Sequence, residues 1–312
     1  MQNPSGAERP GEIQARAGLF AKVYASLGYF ALNVGAHELA LGLTPLRQFA
    51  KDAKLQLISS NVRDAKTGQA VFLPYVIRQV GPLKIGIFGL TAAPLDIGKL
   101  VVDQGLRMQD AVTSAREIVP ELRKQGVDAV VLLSQLRRAD IEAVANQVPG
   151  IDLVLGSMDS ELTLQPVTVG RQTLFVDAFT KGKYVAEVAI SVRGNRTRIY
   201  PSRLREALMA ERSEAASQVQ NLAAQLEASN RPDSALRLTD ETRKIMESQL
   251  TGARARLQRL TMQLEGTEQK LPPDATTAEI TAGALSQDVK DDPQVDAWVK
   301  KYQVKFPKLG GH

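Results

Sequence analysis

The sequence predicts an α/β domain of layered sheets with flanking helices over residues 1–200. An antiparallel α-helical hairpin follows over 201–266, then a linker, a short helix and a tail over 267–312. Three observations carry this expectation. Short apolar runs such as VDAVVLLSQL (127–136) and IDLVLGS (151–157) recur between amphipathic segments, the pattern of strands covered on both faces. Residues 162–169, 172–178 and 184–193 alternate in hydrophobicity, as the strands of an antiparallel sheet do. Beyond Pro201 the apolar positions recur every three or four residues instead, the spacing of paired helices.

Taken in order, residues 1–11 are rich in Gly, Pro and polar side chains and make a loose lead-in. Ala15, Leu19, Val23 and Leu27 place one apolar face on a helix over 12–27. A strand at 30–34 runs into a turn at Gly35-Ala36-His37-Glu38, and a helix over 44–54 follows. LQLISSN (55–61) is a strand ending in polar residues. Two further strands, over 71–80 and 83–91, flank Gly81-Pro82 and form a hairpin whose second arm is apolar on both faces. Helices over 108–125 and 140–148 precede the apolar strands at 127–136 and 151–157. In the hairpin region, Leu204, Leu208, Ala215, Val219, Leu222 and Leu226 form one seam, and Ile245, Leu250, Ala253, Leu257, Leu260 and Leu264 a second. Ser229–Asp233 (SNRPD) breaks them apart, and Thr239 and Thr242 start the second helix, so the seams pair with each other. Residues 266–284 form a Pro/Thr-rich linker, and 288–302 a last short helix.

Composition narrows the function. Hydrophobic residues at 44% and charged residues at 23% are those of an ordinary globular chain. A net charge of +5 and 5% aromatics leave no stacking platform beside a basic stripe, so nucleic acid is not an expected partner. With no cysteine there are no disulfides, no Cys metal ligands, no thiol nucleophile and no haem attachment in this chain. No apolar run reaches the ~20 residues of a transmembrane segment. MQNPSGAERPGE has neither a basic n-region nor an apolar core, so an export signal is expected only outside this sequence.

The chain is organised around GYFALNVGAHELALG (28–42), a short apolar strand that ends in a small-residue turn with a His-Glu pair. Carboxyl ends of strands are where α/β folds place chemistry. His37 is the only histidine besides the terminal His312. It is either a polar residue satisfied by Glu38 or backbone, or a catalytic group. Glu38 complements a helix N-terminus. Asn61 and Asp96, near strand ends, either line a cleft or serve ordinary turns.

GYFALNVGAHELALG, LISSNV, FLPYVIRQVGPLKIGIFGLT, VDAVVLLSQL and PGIDLVLGS, in that order over about 12–192, resemble the bacterial 5′-nucleotidase branch of the calcineurin-like metallophosphatases. The resemblance implies a metallophosphatase-like layered fold and two divalent metals that bridge an attacking water and a phosphate. It also implies that the family's ligand positions are degenerate here. The Asn of the GNHE turn corresponds to Ala36, the histidine of the LSH strand end to Gln135, and the two histidines of the GHxH loop to Met158 and Ser160. The DxH and GD motifs, with the strands that carry them, would precede Met1. Either those strands lie outside this sequence, or the domain folds without them, or a neighbour supplies them to an open edge. His37 is the position that stabilises the reacting phosphate in the family and is not a metal ligand. Gln135 and Asp159 alone are too few for a specific cation site. The resemblance therefore implies a catalytically inactive pseudo-5′-nucleotidase with no metal cofactor, the alternative being a residual metal-dependent phosphoesterase built around His37, or a nucleotide sensor without turnover.

A narrower resemblance lies in the second half. The hairpin and the closing pattern Asp291-Asp292-Pro293 with Val295, Val299 and Tyr302 are similar to segments that precede multihaem c-type cytochrome modules in exported bacterial proteins. They imply a periplasmic setting and a protein partner that carries haem.

Overall fold

The computed structural model describes residues 11–92, 98–156, 158–159, 162–163, 167–179, 182–193, 195–202, 204–229, 239–266, 274–286 and 289–307. In chain order the elements are α1 (Glu12–Ser26), β1 (Ala31–Asn33), α2 (Ala36–Leu39), α3 (Leu43–Ala53), β2 (Gln56–Ile58), β3 (Val62–Asp64), β4 (Tyr75–Val80) and β5 (Leu83–Thr91). They continue with α4 (Gly98–Asp103), β6 (Leu106–Met108), α5 (Ala111–Lys124), β7 (Ala129–Gln135), α6 (Arg138–Gln147), β8 (Leu153–Leu155), β9 (Val167–Val169) and β10 (Thr173–Val176). The last are β11 (Tyr184–Ser191), β12 (Asn195–Pro201), α7 (Leu204–Ser229), α8 (Asp240–Gly266), β13 (Ala275–Ala284) and α9 (Pro293–Lys305).

The chain divides into two compact units, Met1–Val188 with Ile280–His312, and Ala189–Glu279. The first is built on a six-stranded sheet of order β4-β5-β7-β8-β10-β9. β5, β7, β8 and β10 run parallel, while β4 and β9 turn antiparallel at the two edges. Its core joins Phe88 and Leu90 of β5, Leu132 of β7 and Phe175 of β10 to Ile118 and Leu122 of α5 and Ile141 of α6. Gly86 lets α5 approach, since a Cβ there would meet Leu122 at 2.8 Å. A second core gathers Val34, Leu39, Leu46, Phe49, Leu57, Val62 and Leu106 around the parallel pair β1-β2 and the antiparallel pair β3-β6. α1 packs on α3 and on α9, where the Tyr302 hydroxyl lies 3.5 Å from Glu12 Oε1. α9 begins on Asp292, whose carboxylate accepts the amides of Gln294 and Val295 at 2.9 Å.

The second unit carries the helical hairpin. α7 packs on α8, with Leu208, Ala215 and Leu260 buried and Leu257 and Leu264 against them. The SNRPD turn lies outside the described residues apart from Ser229.

The structure corrects several expected elements. The Gly35–Glu38 turn is in part helical, because α2 begins at Ala36 and Gly35 N donates to Glu38 Oε2 at 3.0 Å. The strand expected over 71–80 begins only at Tyr75; before it, Ala70 and Leu73 make only isolated bridges. The three alternating segments do not form one antiparallel sheet. β10 is buried at all four positions and joins β8 in parallel, as a strand covered on both faces does, whereas β11 alternates and lies in a separate sheet of order β11-β13-β12. That third strand falls where a linker was expected. Thr276, Ala278 and Ile280 are buried at period two, the pattern of a strand with one covered face.

Candidate functional site

The carboxyl ends of β1, β5 and β7 meet in a cluster of side-chain hydrogen bonds. Parallel pairing ends on Asn33 in β1 and on Thr91 opposite Gln135 in β5 and β7. Asn33 Nδ2 donates to the Leu90 carbonyl at 3.0 Å and to Thr91 Oγ1 at 3.2 Å, and that hydroxyl donates to the Val34 carbonyl at 2.7 Å. Asn61, 2% exposed, pairs with the Thr91 backbone in both directions: its Oδ1 accepts the amide at 3.1 Å and its Nδ2 donates to the carbonyl at 2.7 Å. Asn61 thus serves the scaffold. Sequence reasoning missed Asn33 and Thr91, whose signal was a polar residue at or near the end of an apolar run, FALNV (30–34) and LKIGIFGLT (83–91) respectively.

Ala36 and Gln135 come together here. Gln135 Oε1 accepts the Ala36 amide at 3.0 Å, across the gap between α2 and the end of β7. Gly35 makes room for it, because a Cβ there would sit 1.9 Å from the same oxygen. Met158 adjoins through its amide, which donates to the Leu136 carbonyl at 2.9 Å. The carboxylate of Asp159 accepts the Arg138 amide at the start of α6. Ser160 and Asp96 lie outside the described residues. As a donor set for a pair of hard divalent cations these residues do not fit. Ala36 offers a methyl group, Met158 a soft thioether, and the oxygens of Gln135 and Asp159 already hold backbone amides. Among the described residues no three His, Cys, Asp or Glu side chains cluster as metal ligands.

His37 stands elsewhere. It is exposed on α2 and lines a hollow of about 290 Å³ walled by α1, α2 and α3, with Phe20, Tyr24 and Phe49 among its walls. Neither Gln135 nor Met158 lines that hollow. Burial, and after it the nearby Tyr29 and the charge of Glu38, raise the Tyr24 hydroxyl above its ordinary value.

At the amino ends of β7 and β8, Arg123 clamps the segments that lead into them. Its guanidinium donates to the carbonyls of Val127, Asp128 and Gly150 and to Asp152 Oδ2 at 2.6 Å. Asp152 also accepts the Val130 amide at 2.7 Å. Burial raises the Asp152 carboxyl above the usual range, with Arg123 and the Val130 amide pulling the other way.

The fold is shared with solved metallophosphatase-fold proteins. The calcineurin-like phosphoesterase YfkN of Bacillus subtilis superposes with a TM-score of 0.51 at 20% identity, over 63% of this chain and 70% of that one. No family model matches the sequence. The chain is homologous over about half its length to nucleotidase-type phosphoesterases. It is 32% identical over 177 residues to the 2′,3′-cyclic-nucleotide 2′-phosphodiesterase/3′-nucleotidase of Yersinia enterocolitica, covering 46% of this chain and 26% of that protein. It is 29% identical over 196 residues to a snake venom 5′-nucleotidase of Gloydius brevicauda, covering 54% and 33%. The matched span is thus a third or less of those relatives' own length. No helix among the described residues is long and apolar enough to cross a membrane.

Proposed function

We propose that this chain is a pseudo-5′-nucleotidase: a metallophosphatase-fold domain that does not hydrolyse phosphoesters and serves as a structural or docking subunit of an exported assembly. The observation that carries this reading is the bond from the Ala36 amide to Gln135 Oε1. In the resemblance these two positions correspond to metal ligands, and here one has lost its donor atom while the other spends its oxygen on the first one's backbone. A neutral amide oxygen held this way is a poor ligand for a divalent ion, and without an ion to generate hydroxide a lone imidazole supplies too little of the reaction.

The proposed docking role and periplasmic setting rest on a resemblance in the second half of the chain. The sequences of α7–α8 and of the Asp292-capped α9 resemble segments that precede multihaem c-type cytochrome modules, and on that resemblance a haem-bearing protein is the proposed partner. Purified chain, supplied in turn with manganese, zinc and calcium, should leave p-nitrophenyl phosphate and 2′,3′-cyclic AMP intact, and affinity purification from the native envelope fraction should bring down haem absorbance. Metal-dependent turnover lost in His37→Ala would replace this reading with a residual phosphoesterase.

A further inference from the structure

We propose that the hollow between α1, α2 and α3 binds a planar nitrogen heterocycle that carries an N–H donor. Gln135 does not line this hollow, and the inference does not rest on the absence of hydrolysis.

The walls are aromatic and already set for a flat ring. Tyr24 is held between neighbours, stacked on Tyr29 at 4.2 Å and edge-on to Phe49 at 6.0 Å. Phe20 stands tilted to Tyr24 at 6.1 Å and remains 49% exposed, so one ring in the wall still presents its surface to the opening. A volume of about 290 Å³ is near the lower end of small-molecule pockets, room for a fused two-ring system and little more. Stacking on Phe20 and Tyr24 would cover the apolar surface that the fold leaves open.

The polar ends select the ligand class. Glu38 commits one carboxylate oxygen to the Gly35 amide and has no other hydrogen bond among the described residues, which leaves an acceptor fixed in place by α2. Among the described residues the His37 side chain and the Tyr24 hydroxyl likewise make no hydrogen bond, and both residues line the same hollow. Arg16, on the same wall, already has a partner. An anchored carboxylate beside aromatic faces calls for an N–H on the ring's edge, which a hydrocarbon or an oxygen heterocycle lacks.

The test uses the full chain and two ring systems of equal shape, indole and benzofuran, titrated by NMR on the backbone amides of α1 and α2. Indole is expected to saturate with shifts confined to those helices, and benzofuran, which lacks the N–H, to bind about fivefold more weakly, the effect of one hydrogen bond. Phe20→Ser, at a half-exposed position that the fold tolerates, is expected to weaken indole about fivefold or more. Glu38→Gln is expected to narrow the gap between indole and benzofuran while leaving the melting temperature within a few degrees. Shifts that do not saturate, equal affinity for the two rings, tighter binding of tetramethylammonium, or indifference to Phe20→Ser would each overturn the proposal.

Discussion

The side-chain oxygen of Gln135 accepts the backbone amide of Ala36 at 3.0 Å, joining residues that stand 99 positions apart in the chain. The contact closes the space between the end of β7 and the first turn of α2, directly over Gly35. It makes the carboxyl-end region part of the folded framework, and it sets the first prediction.

Gly35→Ala is expected to break this contact. The new methyl would lie 1.9 Å from Gln135 Oε1, so the glutamine side chain must swing away and leave the Ala36 amide without its partner. The cost should be about 1–3 kcal/mol in urea unfolding. In the double variant Gly35→Ala/Gln135→Ala the steric part of that cost should disappear. An unchanged unfolding midpoint for Gly35→Ala would show that the contact carries no stability.

Arg123, in the last turn of α5, is expected to matter more than a helix-end arginine ordinarily does. Arg123→Met removes donors from three carbonyls and leaves Asp152 buried without its cation. A loss of about 2–4 kcal/mol is expected, lower than for a fully buried pair because the arginine side chain is 31% exposed. Arg123→Lys should recover only part of it, since an ammonium cannot span the same acceptors.

The same pair gives a pH dependence with a definite sign. Burial raises the Asp152 carboxyl in the folded state, so the folded chain holds this proton more tightly than the unfolded one. Its contribution to stability is fully present below the ordinary carboxylate value and is lost as pH rises through the folded value. Asp152→Asn should remove that segment from a plot of unfolding free energy against pH. Arg123→Met should move it to higher pH. If neither variant alters the profile, Asp152 does not titrate with folding.

Asp110 behaves in the opposite sense. It caps α5, accepting the Thr113 amide and hydroxyl at 2.8 Å, and these bonds lower its carboxyl. Its stabilisation is present above the ordinary carboxylate value and is lost as pH falls through the folded value. Asp110→Ala should cost about 1 kcal/mol at neutral pH, measured by chemical denaturation, and less under acid conditions.

Much of the fold could be read in the sequence because its central strands are apolar on both faces. VDAVVLLSQL and LKIGIFGLT became β7 and β5, and the leucine seams of 204–264 became α7 and α8. What could not be read depended on partners distant in the chain. TTAEITAGA alternates well enough for a strand, but beside Pro272 and Pro273 nothing local distinguishes it from a linker until β12 and β11 flank it. The same holds at the site. Ala36 and Gln135 could be identified one at a time, whereas their hydrogen bond, the Asn33–Thr91–Asn61 cluster and the turn of His37 toward α1 arise only from tertiary packing.

Elemental analysis of the purified chain after equilibration with manganese and zinc, followed by desalting, tests the central claim most directly. Less than a tenth of a metal ion per chain, the same in Gln135→Ala as in the parent, is the outcome this account predicts. Two tightly held ions per chain, released when Gln135 is replaced, would contradict it and restore the chain to the metal-dependent phosphoesterases.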